Sequence, residues 1–209
     1  MKQLVVATRN KGKIVEINAL LTGLVDQISS AADFVDFPET VEDGSTFEEN
    51  ALKKAREASR FTALPAIADD SGLVVDALNG CPGVFSARYA GEGADDAANN
   101  TLLLKELQDV SEDCRHSAFV CVLAYVTPEG VEQLFTGKVA GRILSKARGA
   151  GGFGYDPLFL VESFGRSMAE LTLTEKNSVS HRAQAFRKFR EYLETMEKEN
   201  KTCEEKQSA

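Results

Sequence analysis

No stretch of this chain approaches the ~20 consecutive apolar residues that a membrane span needs, which predicts no membrane partner. Cysteine is sparse: the four residues sit at 81, 114, 121 and 203, with no Cys-x-x-Cys pair and no histidine at ligand spacing. That argues against a zinc site and a disulfide framework, and it predicts reduced thiols. Positive charge is short as well. Lys and Arg number 24 against 32 Asp and Glu, a formal net charge of −8, which predicts no nucleic-acid-binding face. An anionic substrate would therefore need a local basic patch or a bound cation. The Walker pattern G-x-x-x-x-G-K-[ST] is missing, so the chain carries no P-loop. The opening Met1-Lys2-Gln3-Leu4-Val5-Val6-Ala7-Thr8 has one charge and a five-residue apolar run. It is too short for a signal peptide, so the expected location is cytoplasmic.

What is present reads as a globular α/β protein. The 209 residues are 43% hydrophobic and 27% charged, ordinary values for a folded domain. Residues 4–7 predict a short buried strand, and Ile14, Ile17, Leu20 and Leu21 mark a helical face over 13–21. Ser45-Thr46-Phe47-Glu48 fits a capping box, predicting a helix from Ser45 towards Phe61. Residues 65–68 predict another short strand that ends at Asp69-Asp70-Ser71-Gly72, and Asn79-Gly80-Cys81-Pro82-Gly83 predicts a turn. Asp95 or Asp96 can cap a helix holding Leu102, Leu103, Leu104 and Leu107. Residues 118–126 and 131–139 predict a hairpin closed at Pro128-Glu129-Gly130, followed by a glycine-dense loop over 149–154. The last helix starts after Ser180, its cap, with Phe186, Phe189, Leu193 and Met196 on one stripe. Beyond Lys198 the composition turns polar, so residues 1–197 are expected to fold as one unit and 198–209 to form a disordered tail. Strands alternating with helices, plus one hairpin, predict a mixed β-sheet flanked by helices.

Four segments carry candidate chemistry. In the first, a strand enters Thr8-Arg9-Asn10-Lys11-Gly12-Lys13 and a helix begins near Lys13. Free N–H groups at a helix start, with Thr, Asn and Lys donors beside them, suit phosphate oxygens; a plain strand-to-helix turn with exposed basic residues is the alternative. The second is Asp69-Asp70, two adjacent carboxylates at a strand end. These are costly unless they face solvent or a cation, and Mg²⁺ is the cation such hard ligands suit beside phosphate. One could hold the metal while the other orients or deprotonates an attacking water. The third is Gly151-Gly152-Phe153-Gly154-Tyr155-Asp156-Pro157, where flanking glycines permit close backbone approach and Phe153 could stack on a base or simply join the core. The fourth, Glu175-Lys176-Asn177 and Ser180-His181-Arg182, offers donors to carbonyl oxygens or phosphates.

Taken together, these segments resemble the inosine triphosphate pyrophosphatase family, also called the Ham1 or RdgB family. The pieces that match are Thr8-x-Asn10-x-x-Lys13, Phe47-Glu48-Glu49-Asn50-Ala51-x-x-Lys54-Ala55 and Ala68-Asp69-Asp70-Ser71-Gly72-Leu73. Pro82-Gly83-Val84-x-Ser86-Ala87-Arg88-Tyr89, Gly152-Phe153-Gly154-Tyr155-Asp156-Pro157, Ala169-Glu170-Leu171-Thr172 and Ser180-His181-Arg182 follow in the family's order. The resemblance implies an elongated, two-lobed α/β fold with the active-site cleft between the lobes, and a homodimer. It implies a Mg²⁺-dependent pyrophosphohydrolase cleaving ITP, dITP or XTP to the monophosphate and pyrophosphate, which removes deaminated purine nucleotides from the precursor pool. By position, Thr8, Arg9, Asn10, Lys11, Gly12, Lys13 and Lys54 would hold the triphosphate. Asp70 would be the general base and a metal contact, with Asp69 beside it. Ser71, Phe153, Gly154, Tyr155, Asp156, Lys176, His181 and Arg182 would line the nucleotide site. Two departures stand out: Arg9 replaces a small or neutral residue, and the acidic stretch reads Val41-Glu42-Asp43-Gly44. Glu42, then Glu39, is the expected second metal ligand. A Maf-like pyrophosphatase acting on other modified nucleotides, or a nucleotide-binding regulator without catalysis, are the competing readings.

Overall fold

The computed structural model describes residues 1–207. Seven strands form one mixed sheet in the order β2-β1-β3-β4-β5-β6-β7. Strand β1 (Gln3–Val6) leads into helix α1 (Lys11–Leu21) and returns as β2 (Gln27–Ser30), a parallel neighbour. Helix α2 (Phe47–Thr62) precedes β3 (Ala66–Val75), which pairs parallel to β1 over only two residues, Val5 with Ala66 and Val6 with Ile67. Every later pairing is antiparallel: β3 with β4 (His116–Val126), β4 with β5 (Glu132–Ile143), then β6 (Phe159–Val161) and β7 (Arg166–Ser167). Helix α3 (Asp96–Glu106) lies between β3 and β4 in the chain, and α4 (Leu173–Val179) and α5 (His181–Gln207) close it.

Side chains alternate across a strand, so β3 and β4 each serve two layers. Ile67, Cys121, Leu123 and Tyr125 face Ile17 and Leu21 of α1 and Phe186, Phe189 and Leu193 of α5. On the other face, Ala68, Val122 and Ala124 meet Ala51 and Ala55, and the small side chains let α2 lie close to the sheet. A third cluster, around Leu73, Phe119, Leu103, Ile143 and Phe159, fills the far end of the long strands.

Several expectations are corrected. The strand foreseen over 65–68 does not stop at the paired aspartates but runs through them to Val75. Its partner β4 matches it residue for residue, and the charges are met by cations rather than by solvent. The glycine inside it, Gly72, is required by packing: a Cβ there would lie 2.3 Å from the Gly83 carbonyl oxygen. Helix α2 is capped one residue later than foreseen, by Thr46 with Glu49 closing the capping box. Met196 is 38% exposed, so the α5 stripe leaves the core after Leu193. The helix expected to give way to a disordered tail after Lys198 continues to Gln207, through a run with no Gly or Pro to end it. Ser208 and Ala209 of that expected tail, and the side chain of Cys203, lie outside the described residues. Cys81 and Cys114 are exposed and Cys121 is buried, and none of the three is in a disulfide.

Candidate active site

The site begins where β1 ends and β3 does not. After Ala7 donates its N–H to the Ile67 carbonyl at 2.8 Å, the chain leaves the sheet through Thr8 and Arg9, and the edge of β3 beyond lies open. In a strand every second carbonyl points to the same edge, so the Asp69 carbonyl projects into that gap. Two lysines fill it: Lys54 Nζ from α2 at 2.9 Å and Lys13 Nζ from α1 at 3.5 Å. Asn10 caps α1, its side chain accepting the Lys13 N–H at 3.0 Å, and Thr8 Oγ1 accepts the Asn10 N–H at 3.2 Å. The loop is thus shaped by its own Thr and Asn, which sets Lys13 at the strand end.

Asp69 and Asp70 point to opposite faces of β3. The Asp69 carboxylate, wholly buried, meets Lys13 at 3.0 Å, Arg182 at 3.0 Å and the Ser71 hydroxyl at 2.7 Å. Burial pushes its carboxyl up, yet Lys13, Arg182 and Lys54 together outweigh burial and hold it well below the usual carboxylate range. Asp70 faces α2, where Lys54 donates at 2.9 Å and Asn50 Nδ2 at 3.3 Å. Here burial wins, and the Asp70 carboxyl is raised despite Lys54. Burial also disfavours the charged form of Lys54, but Asp70, Glu42 and Asp69 keep its ammonium favoured. Glu42 takes the third corner, 3.0 Å from Lys54 Nζ, and Asn50 accepts the Gly44 N–H at 2.8 Å, so one amide ties the acidic segment to Asp70.

A second ion chain builds the other end. Glu16, on the inner face of α1, joins Lys176 at 2.7 Å and also Arg182; Lys176 in turn binds Asp156. All four side chains are at least nine-tenths buried. Phe153 sits over this chain, 4.9 Å from Lys176 Nζ and 5.8 Å from the Arg182 guanidinium carbon. His181 stacks on Phe119 with ring centroids 4.9 Å apart, and its Nδ1 has no partner. Burial first, then Arg182 and Lys176, push its pKa well down, so the imidazole is neutral. Ser180 caps α5 as foreseen, its hydroxyl accepting the Ala183 N–H at 3.2 Å.

One cavity of about 370 Å³ gathers both ends, a size ordinary for a small-molecule site. Its walls include Thr8, Arg9, Asn10, Lys13, Glu39, Glu42, Lys54, Asp69, Asp70 and Ser71, and then Phe153, Gly154, Tyr155, Asp156, Lys176, His181 and Arg182. Lys11 and Gly12 are not among the residues that line the cavity; Lys11 is exposed on the first turn of α1. Gly12 instead lies under Phe153, where a Cβ would come within 2.6 Å of the ring. Tyr155 contributes mainly as a brace, its hydroxyl donating to the Ser86 carbonyl at 2.8 Å. Sequence reasoning missed Glu16, Asn50, Ser86 and Asp96. Asn50 and Ser86 stood inside quoted motifs, but nothing local marked Glu16, whose partners lie more than 150 residues away.

The donor set fits Mg²⁺. Asp70 and Glu42 present carboxylate oxygens around one lysine, and among the described residues no group of three or more His, Cys, Asp or Glu is placed to hold a metal ion. Mg²⁺ is commonly held by one or two carboxylates, with water and substrate phosphate supplying the rest. Asp69 is the weaker candidate, because one oxygen is committed to Lys13, Arg182 and Ser71 and only Oδ1 is without a partner.

A mixed seven-stranded sheet flanked by helices, with an acid-and-lysine cleft at the open edge of β3, places the chain in the α/β class. The Ham1 family model matches residues 4–192. The chain is 58% identical over 193 residues to the dITP/XTP pyrophosphatase of Geobacter sulfurreducens, covering 92% of this chain and 97% of that one. It is 50% identical over 191 residues to the enzyme of the same name from Desulforamulus reducens, covering 91% and 95%. Among solved structures it is similar to a HAM1 protein from Coxiella burnetii, with TM-score 0.84 at 41% identity, covering 93% of this chain and all of that one. The Staphylococcus aureus Ham1 protein gives TM-score 0.83 at 38% identity, covering 93% and 99%. This chain belongs to the Ham1 family.

Proposed function

We propose that this protein is a dITP/XTP pyrophosphatase, a hydrolase that also takes ITP and releases pyrophosphate and the nucleoside monophosphate. The observation that carries the reading is the single cleft in which buried Asp70 and Lys54 stand at one end and Phe153, His181 and Arg182 at the other. Its relatives' names and the family membership support it.

Lys13 and Lys54, aimed at the open strand edge with Asn10 and Thr8 beside them, receive the triphosphate. Asp70 and Glu42 would hold Mg²⁺, which when bound supplies charge neutralisation on phosphoryl oxygens. Asp70, raised by burial, accepts the proton of the attacking water. The water oxygen bonds to the α-phosphorus, the bridge to the β-phosphorus breaks, and pyrophosphate carries away the electron pair. Lys13 and Lys54 face the charge that develops, the term that dominates phosphoryl chemistry. At the far end the base lies against Phe153. Its 6-oxo group meets the N–H donor of the neutral His181, with Arg182 beside it, where the 6-amino group of adenine would leave that donor unpaired. The same reading extends to a cytoplasmic homodimer, checked by sedimentation.

Pyrophosphate release from dITP with Mg²⁺ is the test. Robust turnover of dITP and XTP with little of dATP supports the assignment. Tight binding without turnover would favour the regulator reading, and preference for a modified pyrimidine triphosphate would favour the Maf-like one.

A further inference from the structure

The turn that presents Phe153 is gripped by a helix outside the quoted motifs. Helix α3 starts at Asp96, and Asn100 follows four residues later, so both side chains rise from one face a single turn apart. Asp96 Oδ2 accepts the Gly154 N–H at 2.6 Å, and Asn100 Nδ2 donates to the Gly154 carbonyl oxygen at 2.9 Å. Both backbone polar groups of one residue are held by one helix. That residue has no side chain with which to lock itself, and it adopts φ +60°. Gly152, on the other side of Phe153, adopts φ +74°. Phe153 therefore sits between two permissive residues, and its position depends on what fixes their backbone. Within the loop the Phe153 N–H reaches Asp156 Oδ2 at 3.0 Å and its carbonyl accepts the Asp156 N–H at 3.2 Å; the fork from α3 anchors the next residue, Gly154.

We infer that Asp96 and Asn100 are positioning residues that act through Gly154 to set the Phe153 ring, and thereby govern affinity for the purine end of the substrate. The inference rests on the proposed function, since it takes Phe153 as the face that meets the base. The Asp70–Lys54 pair at the phosphate end stands on β3 and α2 and makes no contact with the fork. Loss of the fork therefore weakens base recognition and leaves the chemistry in place.

The experiment compares wild type with D96A/N100A in Mg²⁺-dependent hydrolysis of dITP, with IMP and inorganic tripolyphosphate as competitive inhibitors. The expected result is a KM for dITP and an inhibition constant for IMP that both rise about tenfold, as loss of two hydrogen bonds permits. The kcat stays within about twofold, and inhibition by tripolyphosphate does not change. Asp96→Asn, which keeps an oxygen acceptor, retains the wild-type KM. Asn100→Leu removes the donor without adding a charge and carries the test should the double variant fold poorly. An unchanged KM, or equal weakening of IMP and tripolyphosphate, overturns the inference. A wild-type enzyme inert on dITP sinks the proposed function and this inference with it. An active wild type with indifferent variants sinks the fork alone.

Discussion

Asp69 and Asp70 are neighbours on one strand, and the same lysine approaches both, yet the two faces of β3 treat them in opposite ways. The α1/α5 face sets Lys13, Arg182 and a hydroxyl against one oxygen of Asp69, and its carboxyl is held well down. The α2 face gives Asp70 one ammonium shared with Glu42 and one amide, too little to offset burial, and its carboxyl is raised. A carboxylate locked in its charged form is a good strut and a poor base. One whose proton affinity has been lifted is the better base. The alternation of a strand is enough to divide the labour.

The largest expected effect separates the two by chemistry. Asp70→Asn is expected to lower kcat on dITP by roughly 10²–10⁴, the range a general base contributes. Its melting temperature should hardly move, because burial already disfavours the ionised form of Asp70. Steady-state kinetics with calorimetry checks both halves, and near-wild-type turnover would remove Asp70 from its role. Asp69→Asn should break the comparison from the other side. It leaves Lys13 and the fully buried Arg182 short of a counter-charge, and loss of one partner of a buried pair costs about 3 kcal/mol or more. For a chain of this size that is roughly 6–12 °C in melting temperature. A loss of activity without a loss of stability would mean that Asp69 touches the reaction directly.

Acid titration sharpens the same contrast. Asp69 has a depressed carboxyl, so its contribution to stability is present above the ordinary carboxylate value, about 4, and is lost as pH falls through its folded value. The stability gap between wild type and Asp69→Asn should therefore close only below about pH 4. Asp70 is raised, so its ionised form is a burden that lifts as pH falls from its folded value towards 4. Wild type should gain stability relative to Asp70→Asn over that interval. Urea unfolding at stepped pH measures both, and parallel curves would erase the distinction.

Much of this could be read before any coordinates, and the parts that could not share a cause. The Thr8 to Lys13 loop was legible because its donors lie close together between a strand and a helix; that Asn10 caps this helix, which starts at Lys11, came from the structure. Asp69 and Asp70 were legible as a costly pair, but not their separation onto two faces. That needed β3 to run to Val75, and Ser71-Gly72 reads as a turn until β4 pairs across it. Lys11 came in with its neighbours, and its place relative to a phosphate is not marked by any contact in the fold. Glu16 was invisible, since its meaning depends on Lys176 and Arg182, which only the fold brings to it. Strand β2, polar and only half-covered at the sheet edge, carries no apolar alternation to detect.

The smallest expected effect tests how completely Asp69 is a strut. Its carboxylate accepts the Ser71 hydroxyl at 2.7 Å, and the same hydroxyl lies 3.5 Å from Arg182 Nη2. Ser71→Ala removes that one bond while Lys13 and Arg182 remain. The loss should be about 1 kcal/mol, or roughly 2–4 °C in melting temperature. If Ser71 serves only to complete the shell around Asp69, KM and kcat for dITP should stay within about twofold, as loss of about 1 kcal/mol of strut permits. A fall in kcat comparable to that of Asp70→Asn would instead place Ser71 against the reacting phosphate, and the two faces of β3 would no longer divide structure from chemistry.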